Sequence, residues 1–219
     1  MAYQLSTVRD RIQRKLDNTS FETNKLNDFI NDGQRYIFNK RRFTFMERED
    51  TVTTSDGSDQ LGSYPTDIQV PITLRLYSPT NYARALTYIE YESFDESIPN
   101  PNLTGEGPPI AWTIFNGTPQ VYPVSDTTYT LALRYLKKPA ELVDDTDVPE
   151  IPEEFSETLV LAGYMRALEH DDDFDQAQVI QLKVDEQVQD MDERYNRQRG
   201  TVHTMRQPWR ATRRKIGGL

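Results

Sequence analysis

The chain has 219 residues with no cysteine and two histidines, and its 35 Asp+Glu against 25 Lys+Arg give a net charge of −10. The lack of cysteine excludes a disulfide framework, a thiolate nucleophile and any cysteine-based metal site. No apolar run approaches the roughly 20 residues of a membrane span, and the first residues lack a signal-peptide pattern, so we expect a soluble, intracellular protein without a membrane partner.

Two helices are predicted at the start of the chain. Ser6 fits the N-cap of the first. Apolar residues at helical spacing follow it at Val8, Ile12 and Leu16. The second helix follows Thr23 or Asn24 and is predicted to end near the basic run at 40–42, because cations favour a helix C-terminus.

The middle of the chain has the periodicity of strands. A strand at 51–54 runs into a turn signal at 55–57, and residues 68–77 alternate between apolar and polar. The residues predicted to share one face of that strand are Ile68, Val70, Ile72, Leu74 and Leu76. Residues 83–91 fit either a strand or a short helix, and the prolines and glycines of 97–109 predict a loop.

A hairpin is the clearest local prediction. Asn116-Gly117 is the pair that best accommodates a type I′ turn, and it joins apolar runs at 112–115 and 120–122. With the alternating run 129–136, these strands predict a three-stranded antiparallel meander. Its aromatic residues are expected to lie mostly in a core: Trp112, Phe115, Tyr122, Tyr129 and Tyr135.

Helical periodicity returns after an acidic segment. Residues 141–157 contain eight acids and no base, and a helix is predicted from about Phe155 to Ala167. A break at 171–173 precedes a long final helix at roughly 174–198. The apolar residues predicted to face inward on that helix are Val179, Leu182, Val184, Val188, Met191 and Tyr195.

These elements predict an α+β fold, because the terminal helices must meet to bury their apolar stripes. Residues 1–48 and 141–199 are assigned to a helical bundle, with an acidic loop opening the second segment. Residues 49–140 form an inserted antiparallel β domain, and residues 200–219 form a basic, extended C-terminal tail.

No catalytic, cofactor-binding or metal-binding residues are predicted, and we expect no enzyme activity. His170 and His203 lie far apart, and the glycines match neither a P-loop nor a dinucleotide fingerprint. The acids at 171–173 lack the spacing of an EF-hand loop, whereas adjacent carboxylates at a helix start favour the dipole and cap amides.

The basic tail is the best candidate for function. Residues 200–219 carry five cations and no acid, whereas residues 1–199 together carry −15. The candidate docking residues are Arg206, Trp209, Arg210, Arg213, Arg214 and Lys215. They fit an arm that stacks on and neutralises nucleic acid, a peptide that docks on an acidic protein surface, or a solubility tail. We favour protein docking, because the acidic body repels DNA and because Trp and Arg are typical interface anchors.

Several segments resemble bacteriophage head-to-tail adaptors, the connector or neck proteins that bind the portal as gatekeepers. These segments are 112–117, 122–126, 131–142, 147–155, 162–167 and 171–173. The resemblance covers about residues 110–177.

The resemblance implies a structural virion protein at the neck, made in the host cytoplasm. Such adaptors form a ring, typically a dodecamer, that docks under the portal and extends the DNA channel. They offer a platform to a downstream tail, nozzle or stopper protein, and their C-terminal segments commonly clamp the portal. An acidic body would let genomic DNA pass during packaging and ejection without sequence-specific binding. The alternative is a nucleic-acid-associated factor that binds DNA through its basic tail.

Overall fold

The structure, a computed structural model, describes residues 3–16, 21–78, 83–98 and 105–196. Its helices are α1 (Leu5–Leu16), α2 (Thr23–Lys40), α3 (Tyr91–Ser97), α4 (Ser156–His170) and α5 (Phe174–Asn196). Its strands are β1 (Glu47–Thr54), β2 (Leu61–Gly62), β3 (Ile68–Ser78), β4 (Arg84–Ala85), β5 (Thr87–Tyr88), β6 (Ala111–Phe115), β7 (Thr118–Tyr122) and β8 (Thr130–Lys137). No helix among these residues is long and apolar enough to cross a membrane.

The helices from the two ends of the chain form one bundle around α4, as the sequence predicts. Ten consecutive or nearly consecutive residues of α4 are buried, because α1, α2 and α5 all pack directly on it. Small residues allow close approach: a Cβ on Gly33 of α2 would lie 2.8 Å from the backbone nitrogen of Gly163. The α+β class is confirmed, with the strands inserted between α2 and α4.

The start of α1 differs from the prediction. The helix begins at Leu5, so Ser6 is its second residue and the predicted N-cap is wrong. The Leu5 N–H donates to the carbonyl of Asp147 at 2.8 Å, and the Ser6 N–H donates to that of Asp145 at 3.2 Å. Because a distant loop satisfies these amides, no side-chain cap is required. The predicted bounds of α2 are confirmed.

The strands form two sheets, and the predicted meander is wrong. A five-stranded antiparallel sheet has the order β2-β1-β8-β3-β4, and a smaller sheet has the order β5-β6-β7 with β5 parallel to β6. β8 therefore leaves the hairpin of β6 and β7 and lies between β1 and β3. Because β8 is central, both of its edges are paired with other strands. Its buried side chains, among them Leu131 and Leu133, pack in the core between the two sheets.

The alternation predicted for β3 is interrupted at Ile72, whereas Ile68 and Val70 are partly buried against the cores. Leu74 and Leu76 are buried, but the side chain of Ile72 is 42% exposed. The register against β8 shifts between Pro71 and Thr73, which leaves Ile72 on a bulge. Pro71 has no N–H to donate to a ladder, and bulges are among the few places where a sheet accepts proline.

The hairpin prediction is confirmed, because Asn116 and Gly117 both have positive φ, at 48° and 75°. Of the aromatic residues expected in the core, Trp112, Tyr129 and Tyr135 are buried and Tyr122 is half-buried, but Phe115 is 50% exposed and stacks on Tyr91 of α3. The ambiguous segment 83–91 contains β4 and β5 and then enters α3.

Candidate docking surfaces

The predicted docking residues Arg206, Trp209, Arg210, Arg213, Arg214 and Lys215 lie outside the described residues, as does the rest of 200–219. The structure does show where the chain that leads to them departs, which is the C-terminal end of α5.

That end of α5 is fixed to the junction between the bundle and the strands. The Thr44 N–H donates to Asn196 Oδ1 at 3.1 Å, and the Thr44 hydroxyl donates to the Tyr195 carbonyl at 2.9 Å. The Tyr195 ring meets Phe45 edge-on with centroids 5.1 Å apart. Any segment that follows Asn196 therefore starts from a defined point on the molecule.

Most acids of the acidic loop, residues 141–157, form ion pairs with cations of the same molecule. Five of its eight acids form ion pairs with cations from α1, α2, β1, β8 and α5. These acids are Glu141, Asp145, Glu150, Glu154 and Glu157. The most buried of these cations is Arg9, whose side chain is 9% exposed; it binds Asp145 at 2.5 Å and also donates to Asn27. Because the loop itself contains no base, the sequence does not reveal which cations pair with its acids.

The loop also folds on itself and on α2. The N–H groups of Val143 and Asp144 donate to a carboxylate oxygen of Asp147, and these bonds hold the pKa of Asp147 below its usual value. Beneath them the buried Asn31 amide exchanges two hydrogen bonds with the backbone of Leu142, each of 2.9 Å. The loop is therefore a strap across the bundle, held by polar contacts.

A groove of about 670 Å³ runs between α2 and α4 and is lined by cations and acids. The Tyr36 ring lies under Lys40 and Arg166, at 4.8 and 5.1 Å from its centroid. Lys40 is bound to Asp185 at 3.2 Å, and Arg166 is bound to Glu169 at 2.6 Å. The hydrogen bonds to Tyr36 and Asp185 raise the pKa of Lys40. Because these cations have acid partners, the groove is not a free anion site. The Lys40–Asp185 pair joins α2 to α5, and the contact of Arg166 with the Tyr36 ring joins α4 to α2.

The acids at the α4–α5 turn act as caps. The Gln176 N–H donates to Asp173 Oδ1 at 3.2 Å at the start of α5, and Asp172 has a φ of 61°. Within the part of the chain that the structure describes, no group of three or more His, Cys, Asp or Glu could hold a metal ion. This geometry supports the capping interpretation at Asp173.

The outer face of α5 is the surface that sequence analysis missed. We use this name for Phe174, Asp175, Val179, Leu182, Glu186 and Asp190. Val179 and Leu182 were predicted to face inward, and that is wrong: their side chains are 54% and 67% exposed, and Phe174 is 62% exposed. The inward face is formed by residues such as Ala177 and Val184. The sequence does indicate this exposure, because the helix has more apolar residues than a single buried face can accommodate.

Comparison with known proteins identifies the chain through one family. The SU10 adaptor protein family model matches residues 3–212, which is nearly the whole chain. No curated protein matches the sequence.

Proposed function

The chain belongs to the SU10 adaptor protein family and is a structural component of the bacteriophage head–tail junction, and on this premise we propose that it forms a ring that docks under the portal. The ring, of about 12 copies by resemblance to other adaptors, would extend the DNA channel and carry the tail or stopper protein below it. We propose no enzymatic step. The observation that carries this proposal is the family match over residues 3–212.

Two structural features support it. The helices pack around α4 in one bundle, and the acidic loop joins that bundle to the strands through ion pairs such as Lys137 with Glu150 at 2.6 Å. A ring that bears load between a filled head and a tail benefits from such cross-links between its parts. The net charge of the body, −15 over residues 1–199, also disfavours tight contact with the phosphates of passing DNA.

We propose that the basic tail docks on the portal. The point where the chain leaves the described structure, Asn196, is held by Thr44 at the junction of bundle and strands, so every copy in a ring would project its tail from the same level. Five cations and one Trp without an acid suit an acidic partner surface.

The test is the native mass, by light scattering, of the chain mixed with the portal of the same phage. We expect the portal to capture a ring of full-length chains and to capture none of a chain that ends at Gly200. A variant with Arg210, Arg213, Arg214 and Lys215 changed to Gln should be captured weakly. The matched control changes exposed cations of the body, Arg75 and Lys138, to Gln and should be captured normally.

The same variants separate the alternative. A nucleic-acid-associated factor would bind DNA with an affinity that falls steeply with salt, and the four tail substitutions would abolish that binding. Failure of a correctly assembled portal to capture the full chain would contradict the docking proposal, and salt-dependent DNA binding by the tail would then favour the alternative.

A further inference from the structure

One edge of the five-stranded sheet is unpaired over most of its length. β1 pairs with β8 in unbroken register from Glu47 to Thr53, but β2 covers its other side only at Thr53 and Thr54. Residues 47–51 pair with no other strand of the described chain, and all five are exposed. We call them the open edge of β1. Such an edge offers main-chain groups to which a further strand can add.

Alternation fixes the direction of these main-chain groups. The Thr54 N–H donates at 3.0 Å to the carbonyl of Tyr129, which directly precedes β8. In an antiparallel pair every second residue faces the partner strand, so the N–H of Asp50 faces β8 as well. The N–H groups of Glu49 and Thr51 therefore face away from β8, into the space that an added strand would occupy.

The opposite edge of the sheet is protected against such addition. β4 covers β3 only at Arg75 and Leu76, but the register of β3 against β8 shifts twice between Ile68 and Thr73. Pro71 lies in this stretch and has no N–H to donate. Bulges and prolines are devices that block edge strands, and the open edge of β1 has neither.

The charges along the open edge favour a strand without acids. Residues 47–51 contain three acids and one base. The base, Arg48, lies 3.8 Å from Glu150, and Glu49 is bound to Arg134 at 2.5 Å. Charged side chains protect an edge from copies of itself, because like charges on neighbouring strands are destabilising, but they do not exclude a basic strand.

The chain that follows α5 starts beside the open edge. The Thr44 N–H donates to Asn196 Oδ1 at 3.1 Å, and Thr44 precedes Glu47 by three residues. Residues 197–200 span at most about 14 Å when extended, so residue 201 can reach the first residues of β1. A tether this short gives the segment a higher effective concentration at its own edge than a second copy provides.

The cations near this departure point do not extend along the edge. The Asn196 side-chain amide donates to the Arg42 carbonyl, and both Arg41 and Arg42 are exposed. Both precede the sheet in the chain, and Arg41 lies 3.7 Å from Asp192. A basic segment therefore meets like charge at its start and net acidic charge along residues 47–51.

Residues 201–205 have the composition of a strand that fits this edge. They contain three β-branched residues and neither an acid nor a proline, and no acid occurs anywhere in 197–219. The β-branched residues are Thr201, Val202 and Thr204. The cations nearest to them in the sequence are Arg197, Arg199 and Arg206.

We infer that residues 201–205 add to the open edge of β1 of their own chain as a sixth strand. The added strand runs parallel to β1, because it starts at the Glu47 end and proceeds towards Thr51. Residues 206–215, which include all six candidate docking residues, then continue beyond the sheet. The inference goes beyond the proposed function, since the strand forms without a ring or a portal.

Amide hydrogen exchange, followed residue by residue by NMR, tests this strand in the full chain and in chains that end at Gly200 or Met205. We expect the amides of Glu49 and Thr51 to exchange at least tenfold more slowly in the full chain and in the chain ending at Met205 than in the chain ending at Gly200. The Asp50 amide, which faces β8, is the internal control and should exchange equally in all three. Equal exchange of Glu49 and Thr51 in the full chain and in the chain ending at Gly200 would overturn the strand.

Proline substitutions test the segment without shortening the chain. Val202→Pro with His203→Pro removes a donor whichever of the two residues faces β1, and should abolish the protection. Ala211→Pro with Thr212→Pro is the matched control beyond the segment and should retain it. Loss of protection in both variants, or in neither, would overturn the assignment to 201–205. Protection that rises with chain concentration would assign the strand to a second copy and overturn pairing within one chain.

Portal capture separates this inference from the proposed function. The chain ending at Met205 keeps the added strand and lacks all six candidate docking residues, so its Glu49 and Thr51 amides should be protected although the portal does not capture it. Protection without capture of the full chain would contradict the docking proposal alone. Capture of the full chain without protection would contradict the strand alone.

Discussion

The acidic loop and the outer face of α5 are both rich in carboxylates, but these carboxylates have different surroundings in the structure. The outer face of α5 has an exposed base beside it in the sequence, Lys183, whereas the loop contains none. In the loop, five of eight acids pair with cations brought from other elements. On the outer face of α5, Asp175, Glu186 and Asp190 have no such partner among the described residues and surround exposed apolar side chains.

The difference teaches that net charge alone does not reveal what a carboxylate is for. A carboxylate that meets a half-buried guanidinium stabilises the fold of its own chain. A carboxylate left in solvent beside apolar surface contributes little to that fold and is available to a second molecule. The first group should control the free energy of unfolding, and the second should control association.

The largest loss of stability is expected from a substitution that disrupts the packing of α2 on α4, because the other helices of the bundle pack on α4. In Gly33→Val, the new side chain would meet the backbone of Gly163 and Ala162, whose atoms lie within 2.9 Å of an added Cβ and cannot move away as a side chain could. We expect a loss of about 3 kcal/mol in the free energy of unfolding, measured by denaturant titration. Gly62→Val is the control, because its Cβ would meet Thr53 only at 3.5 Å. Equal losses in the two variants would contradict close packing of α2 on α4.

The next largest change in the free energy of unfolding is expected to differ between the acidic loop and the outer face of α5. Asp145→Asn removes the charged partner of Arg9, a side chain only 9% exposed, and should lower the free energy of unfolding by about 1–3 kcal/mol. Asp175→Asn on the outer face of α5 removes a charge that has no partner and should change it by less than about 0.5 kcal/mol. A larger effect at Asp175 than at Asp145, in the same denaturant titration, would reverse the assignment of roles.

Acidification should weaken the loop through Asp147. Its pKa in the folded chain lies below its unfolded value of about 3.9, so its stabilising contribution is complete above that value and is lost as pH falls through the folded pKa. We expect Asp147→Asn to flatten the dependence of stability on pH below about 4, as measured by unfolding at a series of pH values. An identical profile for Asp147→Asn and wild type would contradict the bonding seen at Asp147.

The smallest effect on folding is expected on the outer face of α5. Leu182→Ala should alter the free energy of unfolding by less than about 0.5 kcal/mol, because the side chain is 67% exposed. Met191→Ala, on the buried face of the same helix, should cost about 2–5 kcal/mol. Leu182→Ala should nevertheless weaken self-association, measured by sedimentation. A stability loss at Leu182 as large as that at Met191 would show that the face is part of the core.

Local patterns in the sequence predicted local structure well, and the misses are long-range. Asn116-Gly117 determined its hairpin, and the apolar spacing and basic end of α2 determined its bounds. The strands that pair with β8 lie far from it in sequence, at 47–54 and 68–78, and the spacing of apolar residues does not encode such pairing. The partners of the acidic loop are likewise scattered from Arg9 to Arg194.

The misassigned residues of α5 have a different cause. Val179 and Leu182 are apolar and fit a helical pattern, so the sequence indicates burial without saying in which molecule. The isolated chain exposes them. The candidate tail at 200–219 lies outside the described residues, so its docking role remains a prediction from charge and composition.

Carboxyl labelling with a water-soluble carbodiimide, read residue by residue by mass spectrometry, tests the contrast between the two regions most directly. The wild-type chain is labelled free and after assembly on the portal. We predict that Asp175 and Glu186 react in the free chain and lose most of their labelling on assembly, while Asp145 and Glu157 react to the same extent in both states. Protection of the loop acids on assembly, with Asp175 and Glu186 unchanged, would contradict the account.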